Sequence, residues 1–365
     1  MVTILLLLNT PSSLVGFRYE LIKSLIDLGY SVYASSPYGE EFVEFEKMGG
    51  KPIETPMKRK SINPFHDICL LFKYIKIIKF VNPDVVLTFT IKPNVYGGLA
   101  CRILKVPYVS NITGLGSAVE NGGLMKKLVV ILYKLSMKRA SGIFFQNEEN
   151  QYFFRDHNIN PSVALKLPGS GVNLHKFSPI DYPDSRTVEF IFISRILKQK
   201  GIEQYLEAAK YIHSKYSQTR FHVVGPMEDA YSKTIEENHN NGIIQYHGPQ
   251  KDVRPYLARC HCLIHPSFYP EGLSNVILES EACARPVITT DKSGCREPID
   301  DGVTGFIIKQ QNTQDLIEKI EYFISLPFEA KKQMGVAARQ NIEKKYDRQI
   351  VVNSYLLQID KIVKK

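Results

Sequence analysis

Short apolar runs alternate with amphipathic stretches along this chain. Runs at 4–8, 31–34, 84–89, 108–111 and 142–146 read as strands, and so do those at 189–194, 220–224, 243–246, 262–265, 286–290 and 305–307. Gly, Pro and Asn punctuate the runs, and helix-period patterns fill the gaps. Strand and helix alternating at this spacing predict βαβ units and parallel sheets. Two successive sets predict two doubly wound Rossmann-like α/β domains, with residues 1–172 in the first and 173–349 in the second. The boundary falls at the run 169–179, followed by a polar 181–185 linker. In such sheets ligands bind at the carboxyl ends of the strands, so the active site is expected in a cleft between the domains.

The opening Met1-Val2-Thr3-Ile4-Leu5-Leu6-Leu7-Leu8 is apolar but has no basic stretch before it and no small-residue cleavage site. It is too short to span a bilayer and reads as a buried first strand. No other apolar run reaches spanning length. The six cysteines, at 69, 101, 260, 262, 283 and 295, show no disulfide-framework spacing, which points to a reducing cytoplasm. Cys260-His261-Cys262 with His265 has the look of a metal cluster. In a strand, however, 260 and 262 face one way and 261 and 265 the other, so a core strand is the better reading.

Charge changes the picture on one side only. The net charge is +9, and residues 1–170 hold 20 Lys/Arg against 13 Asp/Glu, whereas the remainder holds 26 against 24. The first half is therefore the one expected to meet something anionic. No nucleic-acid recognition motif or aromatic–basic platform accompanies the charge, so nucleic acid is not an expected partner.

The candidate chemistry concentrates in Pro270-Glu271-Gly272-Leu273-Ser274-Asn275-Val276-Ile277-Leu278-Glu279. A loop with Gly and a Ser-Asn start precedes an apolar run, so a helix is predicted to open at Ser274 or Asn275. Glu271 then lies in the loop and Glu279 in the second turn. The helix start between them offers backbone N–H groups and a partial positive charge, which suit a phosphate. Two carboxylates suit sugar hydroxyls, because each accepts two hydrogen bonds. Upstream, Ile193-Ser194-Arg195-Ile196-Leu197-Lys198-Gln199-Lys200-Gly201 places cations at the carboxyl end of a strand.

With the flanking Cys262-Leu263-Ile264-His265-Pro266-Ser267 and Ala282-Cys283-Ala284-Arg285-Pro286-Val287, this stretch resembles the signature of retaining glycosyltransferases of family 4, which have the two-Rossmann-domain GT-B fold. Ala284 departs from the pattern, standing where the family usually has Gly. The resemblance implies that Arg195 and Lys200 hold the donor diphosphate and that Glu271 contacts the transferred sugar. It implies that Glu279 binds the ribose hydroxyls. Gly272, Leu273, Ser274 and Asn275 complete the donor-binding turn, with the amides near Ser274 and Asn275 on the diphosphate. The loop Gly248-Pro249-Gln250-Lys251 resembles the region framing the base, which assigns Gly248 and Lys251 to the donor. The last helix, in 350–365, is expected to return to the first domain. No carboxylate pair stands where a metal-binding Asp-x-Asp would, so no cofactor and no metal are expected, Arg and Lys neutralising the leaving group instead.

On the acceptor side the chain has Asn9-Thr10-Pro11-Ser12-Ser13-Leu14-Val15-Gly16-Phe17-Arg18 where many members carry Gly-Gly, and Thr113 before Gly114 where many carry His. With Thr90-Ile91-Lys92-Pro93-Asn94 these features resemble the subset that extends polyprenyl-diphosphate-linked oligosaccharides in bacterial glycan assembly, such as surface polysaccharide, O-antigen or capsule. The resemblance implies a UDP-sugar donor, with galactose or N-acetylgalactosamine type favoured, and a lipid-linked acceptor. Gly16, Arg18, Lys92, Thr113 and Gly114 are the acceptor-side candidates. The apolar, cation-dotted stretches 124–139 and 69–79, with Lys58-Arg59-Lys60, suit an anionic membrane surface. The first has an apolar sweep too wide for one buried stripe; the second reads equally as a sheet-packing helix with a solvated cationic face. The expected location is thus the cytoplasmic face of the membrane, held peripherally. Two other readings share this architecture: a sugar-nucleotide 2-epimerase, and a non-catalytic nucleotide-sugar-binding module.

Overall fold

The computed structural model describes residues 1–57, 63–116, 119, 122–159 and 163–364; the basic run Lys58-Arg59-Lys60 and Ser117 lie outside them. The chain divides into two compact units. The first comprises Met1–Gly171, Pro270–Leu273 and Arg348–Lys365, and the second Val172–Tyr269 and Ser274–Asp347.

The first unit holds a seven-stranded parallel sheet. Its strands are β1 (Thr3–Leu7), β2 (Ser31–Ser36), β3 (Lys51–Glu54), β4 (Val85–Phe89), β5 (Tyr108–Ile112), β6 (Gly142–Phe145) and β7 (Ala164–Lys166), in the order β3-β2-β1-β4-β5-β6-β7. The leucine run of β1 is buried on both faces. Ile4, Leu6 and Leu8 pack into one cluster, and Leu5 and Leu7 into another on the opposite face, as strand alternation requires. The helix Arg348–Val363 covers the first face through Val351, Val352, Tyr355 and Ile359. Leu70, Tyr74 and Ile78 of the helix Pro64–Val81 cover the other, together with Val129 and Tyr133 of the helix Gly123–Met137.

The second unit holds six parallel strands: β8 (Val188–Ile193), β9 (Thr219–Val224), β10 (Gln245–Tyr246), β11 (Cys262–His265), β12 (Val287–Thr290) and β13 (Gly305–Ile308), in the order β10-β9-β8-β11-β12-β13. Residues 181–185 are not a free linker. Arg285, fully buried, donates to the carbonyls of Ile180 and Asp181 and so straps this stretch to the second unit.

Each sheet reverses direction of winding once, between β1 and β4 and between β8 and β11. Ligands of doubly wound sheets bind at such switch points. The loops that follow β1, β4, β8 and β11 are those that carry Gly16 and Arg18, Lys92, Arg195 and Lys200, and Glu271.

Candidate functional site

Arg195 lies two residues past the end of β8, and Lys200 closes a short 3-10 turn that ends at Gly201. Gly201 has φ of +77° and lies against the Pro266 carbonyl, where a Cβ would collide. Only glycine allows this close turn, which sets Lys200 down at the end of β11. Lys200 is 5% exposed, and its Nζ lies 5.0 Å from the centre of the Tyr269 ring. The Arg195 guanidinium lies 5.4 Å from the same centre. Burial lowers the Lys200 pKa to about 8; Cys295 opposes that shift and Arg195 adds to it. A buried ammonium and an exposed guanidinium beside one ring are an arrangement suited to an anion with two charged centres. Tyr269 had no signature in the sequence beyond its place two residues before Glu271.

The helix Asn275–Ala282 opens where the sequence predicts, with Ser274 as its extended N-cap. Ser274 itself does another job than the one expected. Its amide donates to the Gly294 carbonyl at 2.7 Å, and its buried hydroxyl pairs with His265 Nε2 at 3.1 Å. A phosphate cannot claim an amide already so engaged, so Ser274 anchors the helix rather than cradling the diphosphate. The next amides, from Asn275 onward, open the helix with no preceding turn to accept from them. The Asn275 Oδ1 is buried and without a hydrogen-bond partner. His265 is fully buried, and burial and then the Lys200 charge hold its pKa well below the usual imidazole range. It is therefore neutral, and no second cation competes there. Glu279 is half-buried on the same helix. Gly248 follows β10 with φ of +68°, its carbonyl accepting from the Gly225 amide, and Lys251 is exposed beyond it.

Glu271, Gly272 and Leu273 belong with the first unit. The side chain of Asn147 holds this turn: its Nδ2 donates to the Glu271 carbonyl at 3.0 Å and to the Gly272 carbonyl at 2.6 Å. Its Oδ1 meanwhile accepts from the Asn150 amide and caps the helix Glu148–Asp156. A Cβ on Gly272 would stand 2.2 Å from Gln146 Oε1 and 2.8 Å from the Thr113 carbonyl. Gly114, at φ of +131°, packs against the Pro270 carbonyl and the Glu271 backbone. The acceptor-side pair Thr113 and Gly114 thus lies directly against the Glu271 turn.

The remaining acceptor candidates divide. Lys92 pairs with Asp67 at 2.7 Å, both mostly buried, and Tyr96 donates to the same carboxylate. That charge is already met within the protein by Asp67. Arg18 differs. It is 5% exposed, stacks 4.3 Å over the Phe89 ring, and donates at 3.4 Å to Ser170 Oγ. No carboxylate pairs with it among the described residues. Gly16 ends the short helix Ser12–Val15, and its carbonyl accepts from Arg348. Thr90 opens the Thr90–Asn94 run, and the sequence assigns it no role of its own. This β-branched residue has φ of +70° just after β4, a rare and strained backbone state, and its buried hydroxyl has no partner.

The chain matches the family described as glycosyl transferases group 1 over residues 181–341, and the glycosyl transferase 4-like family over residues 3–147. It is 30% identical, over 98% of both chains, to N,N'-diacetylbacillosaminyl-diphospho-undecaprenol alpha-1,3-N-acetylgalactosaminyltransferase of Campylobacter jejuni. It is 26% identical to the capsular polysaccharide biosynthesis glycosyltransferase CapM of Staphylococcus aureus, over 94% of this chain and 93% of that one. Among solved structures, Anabaena HepE in complex with UDP-glucose superposes over 100% of both chains with a TM-score of 0.79 at 18% identity. A glycosyltransferase from Rickettsia africae matches at 0.79 and 21%, over 100% of this chain and 99% of that one. Two parallel-sheet units, a cation pair at the β8 end and a sequence match along the full length agree, and the chain belongs to the family-4-like, group 1 glycosyltransferases of the GT-B fold.

Proposed function

We propose that this glycosyltransferase moves a hexose or N-acetylhexosamine, of galactose or N-acetylgalactosamine type, from a UDP-sugar to a polyprenyl-diphosphate-linked glycan, with retention at the anomeric carbon. The observation that carries the donor half is the pair of cations, Arg195 and Lys200, that lie beside Tyr269. As the bond to the donor breaks, negative charge grows on the departing diphosphate, and fixed cations stabilise it most in the transition state. Such neutralisation by side chains makes a divalent cation unnecessary. Glu271 meets the transferred sugar and Glu279 the ribose. The acceptor's proton goes to the leaving phosphate itself.

The acceptor half rests on relatives and on surface chemistry. The Campylobacter enzyme is named for a diphospho-undecaprenol acceptor, and a galactosyltransferase of Escherichia coli, 26% identical over 73% of this chain, is also named for one. No helix among the described residues is long and apolar enough to cross a membrane. Two helices nevertheless expose apolar stripes. Leu124, Leu128, Ile131 and Leu135 follow one face of Gly123–Met137, and Phe65, Ile68 and Phe72 follow one face of Pro64–Val81. Lysines flank both stripes, at 126, 127 and 134 and at 73, 76 and 79. We read them as a peripheral seat on the anionic cytoplasmic leaflet, with Arg18 as the buried cation for the acceptor's diphosphate.

The test is turnover with UDP-sugars and membranes carrying different lipid-linked saccharides, with UDP release as readout. Glu271→Ala and Arg195→Ala are each expected to abolish transfer while leaving the thermal transition in place, and added Mg²⁺ to leave the rate unchanged. Full activity in either variant overturns the site assignment. Conversion of UDP-N-acetylglucosamine without any acceptor would instead mark a 2-epimerase.

A further inference from the structure

A second cluster of reactive side chains lies at the other end of the donor-unit strands. Glu189 is the second residue of β8, His222 the fourth of β9, and Cys260 sits just before β11; these three strands are neighbours in the sheet. One ligating atom from each lies within 4.8 Å of the other two. Cys260 and His222 are buried, and Glu189 is nearly so. From Glu189 to Arg195 is a run of six residues, about 20 Å of extended chain at about 3.3 Å per residue, so this cluster has no part in the donor cation pair.

The geometry around it is held from several sides. His222 Nε2 faces the Glu189 carboxylate at 2.7 Å, and its Nδ1 faces His247 Nε2 at 3.0 Å. The backbone before β11 is tied to Glu189 twice, with the His261 amide donating to the Glu189 carbonyl and the Glu189 amide donating to His261 Nδ1. His261 is therefore occupied as an acceptor. Cys262 points to the Leu263 carbonyl and His265 to Ser274, so the consecutive Cys-His-Cys run does not converge on one point. Instead Cys260 converges with two residues from neighbouring strands.

We propose that Glu189, His222 and Cys260 bind one zinc ion that ties together the start of β8, the middle of β9 and the residue before β11. An oxygen, a nitrogen and a sulfur ligand in one buried cluster suit Zn²⁺ and not Mg²⁺ or Ca²⁺, which take oxygen. On binding, Zn–S, Zn–N and Zn–O bonds form and a water takes the fourth place. The Cys260 thiol releases its proton to solvent. The 2.7 Å contact with the Glu189 carboxylate puts the His222 proton on Nε2 in the metal-free chain. On binding, Nε2 gives up that proton to make place for the ion, and His222 becomes the Nδ1–H tautomer donating to His247 Nε2. The proton of His247 moves to its own Nδ1, so proton number is kept and both rings stay neutral. A ligating histidine held by such an outer partner is the usual arrangement. Arg220 and Arg259 are close by, and the thiolate and carboxylate offset the ion's charge among them.

The experiment uses the full chain, purified, stripped with chelator and reconstituted with zinc or cobalt. Elemental analysis is expected to give one zinc per chain, and zinc to raise the thermal transition of the stripped protein. The cobalt form is expected to show thiolate-to-cobalt charge-transfer absorption. Cys260→Ala should lose both the absorption and the bound metal, while Cys262→Ala keeps them. Substoichiometric metal after reconstitution, or absorption that survives Cys260→Ala, overturns the proposal. Should Cys260→Ala not fold, the cobalt spectrum of the unmutated chain decides: no thiolate band, no site.

Discussion

The Lys200 ammonium and the Arg195 guanidinium converge on a single aromatic ring, at 5.0 Å and 5.4 Å from the centre of Tyr269. Like charges this close repel, and the negative face of the ring offsets part of that repulsion before any substrate arrives. A cation over an aromatic face gains about 1 kcal/mol. Tyr269→Ala is therefore expected to lower kcat/KM for the donor by about 10- to 100-fold, two such contacts being lost. Tyr269→Phe keeps the ring and should stay within about threefold of the parent enzyme. Steady-state kinetics on both variants checks this; equal damage from both would place the effect in the hydroxyl instead.

Lys200 also sets a pH dependence. Burial brings its pKa from the ordinary 10.5 to about 8. In the free enzyme the ammonium is lost as pH rises through about 8, whereas a bound diphosphate favours the charged form. UDP affinity is thus expected to fall above pH 8, and Lys200→Met to bind more weakly with that fall removed. The sign for folding is the reverse. The folded pKa is below the unfolded one, so between pH 8 and 10.5 the unfolded chain binds more protons and stability rises with pH across that window. Calorimetric titration with UDP at several pH values, beside thermal melts, separates the two effects.

Asn147 does two jobs with one side chain, capping a helix through Oδ1 and holding the Glu271 turn through Nδ2. Asn147→Ser keeps a capping oxygen and removes the tether. The change should cost about 1–2 kcal/mol of stability, since two buried carbonyls lose their donor. The expected kinetic signature is a drop in kcat with UDP affinity retained, because the cation pair is untouched.

How far the sequence discloses this architecture depends on where each residue gets its signal. β1 and β4 are apolar at four of five positions each, because helices cover both faces of a central strand, and such runs are unmistakable. The edge strands are not. β3 contains Pro52 and no apolar run, and β7 is exposed along its whole length, so neither has a pattern to read. The site divides in the same way. A helix start such as Asn275 and cations at a strand end are local features. Asp67 is 25 positions from Lys92, Gly294 is 20 from Ser274 and Glu271 is 124 from Asn147, and no spacing rule reaches such pairings.

Ala284 departs from the family's glycine, and its backbone explains what that costs. It stands just past the C-cap of the helix Asn275–Ala282, with φ of +58°. The Ala284 amide donates to the Glu281 carbonyl and the Arg285 amide to that of Ser280, the paired bonds of a Schellman ending. Alanine adopts this left-handed state at a cost of about 1 kcal/mol that glycine avoids. Part of the gain returns as the greater freedom of glycine in the unfolded chain. Ala284→Gly is expected to raise stability by about 0.5 kcal/mol, and Ala284→Val to lower it by more than that, read by denaturant unfolding. A loss of stability in Ala284→Gly would contradict the strain.

The exposed stripe of the helix Gly123–Met137 makes the membrane reading directly testable. Leu124 is 82% exposed, and Leu128, Ile131 and Leu135 continue its face, while Val129, Val130 and Tyr133 point into the core. The two faces are separable by mutation, because replacing the outer residues removes no core contact. Leu128→Ser, Ile131→Ser and Leu135→Ser together should leave the melting temperature close to that of the parent chain. Each buried apolar side chain contributes on the order of 1 kcal/mol or more at a bilayer interface, so partitioning onto vesicles rich in phosphatidylglycerol should fall at least about tenfold. Salt should weaken binding of the parent chain, since each lysine near the surface adds about 1 kcal/mol that screening removes. Turnover with a short water-soluble acceptor diphosphate should be unaffected, while turnover with acceptor embedded in vesicles falls with the partitioning. Unchanged partitioning of the triple variant would assign these side chains to some other surface.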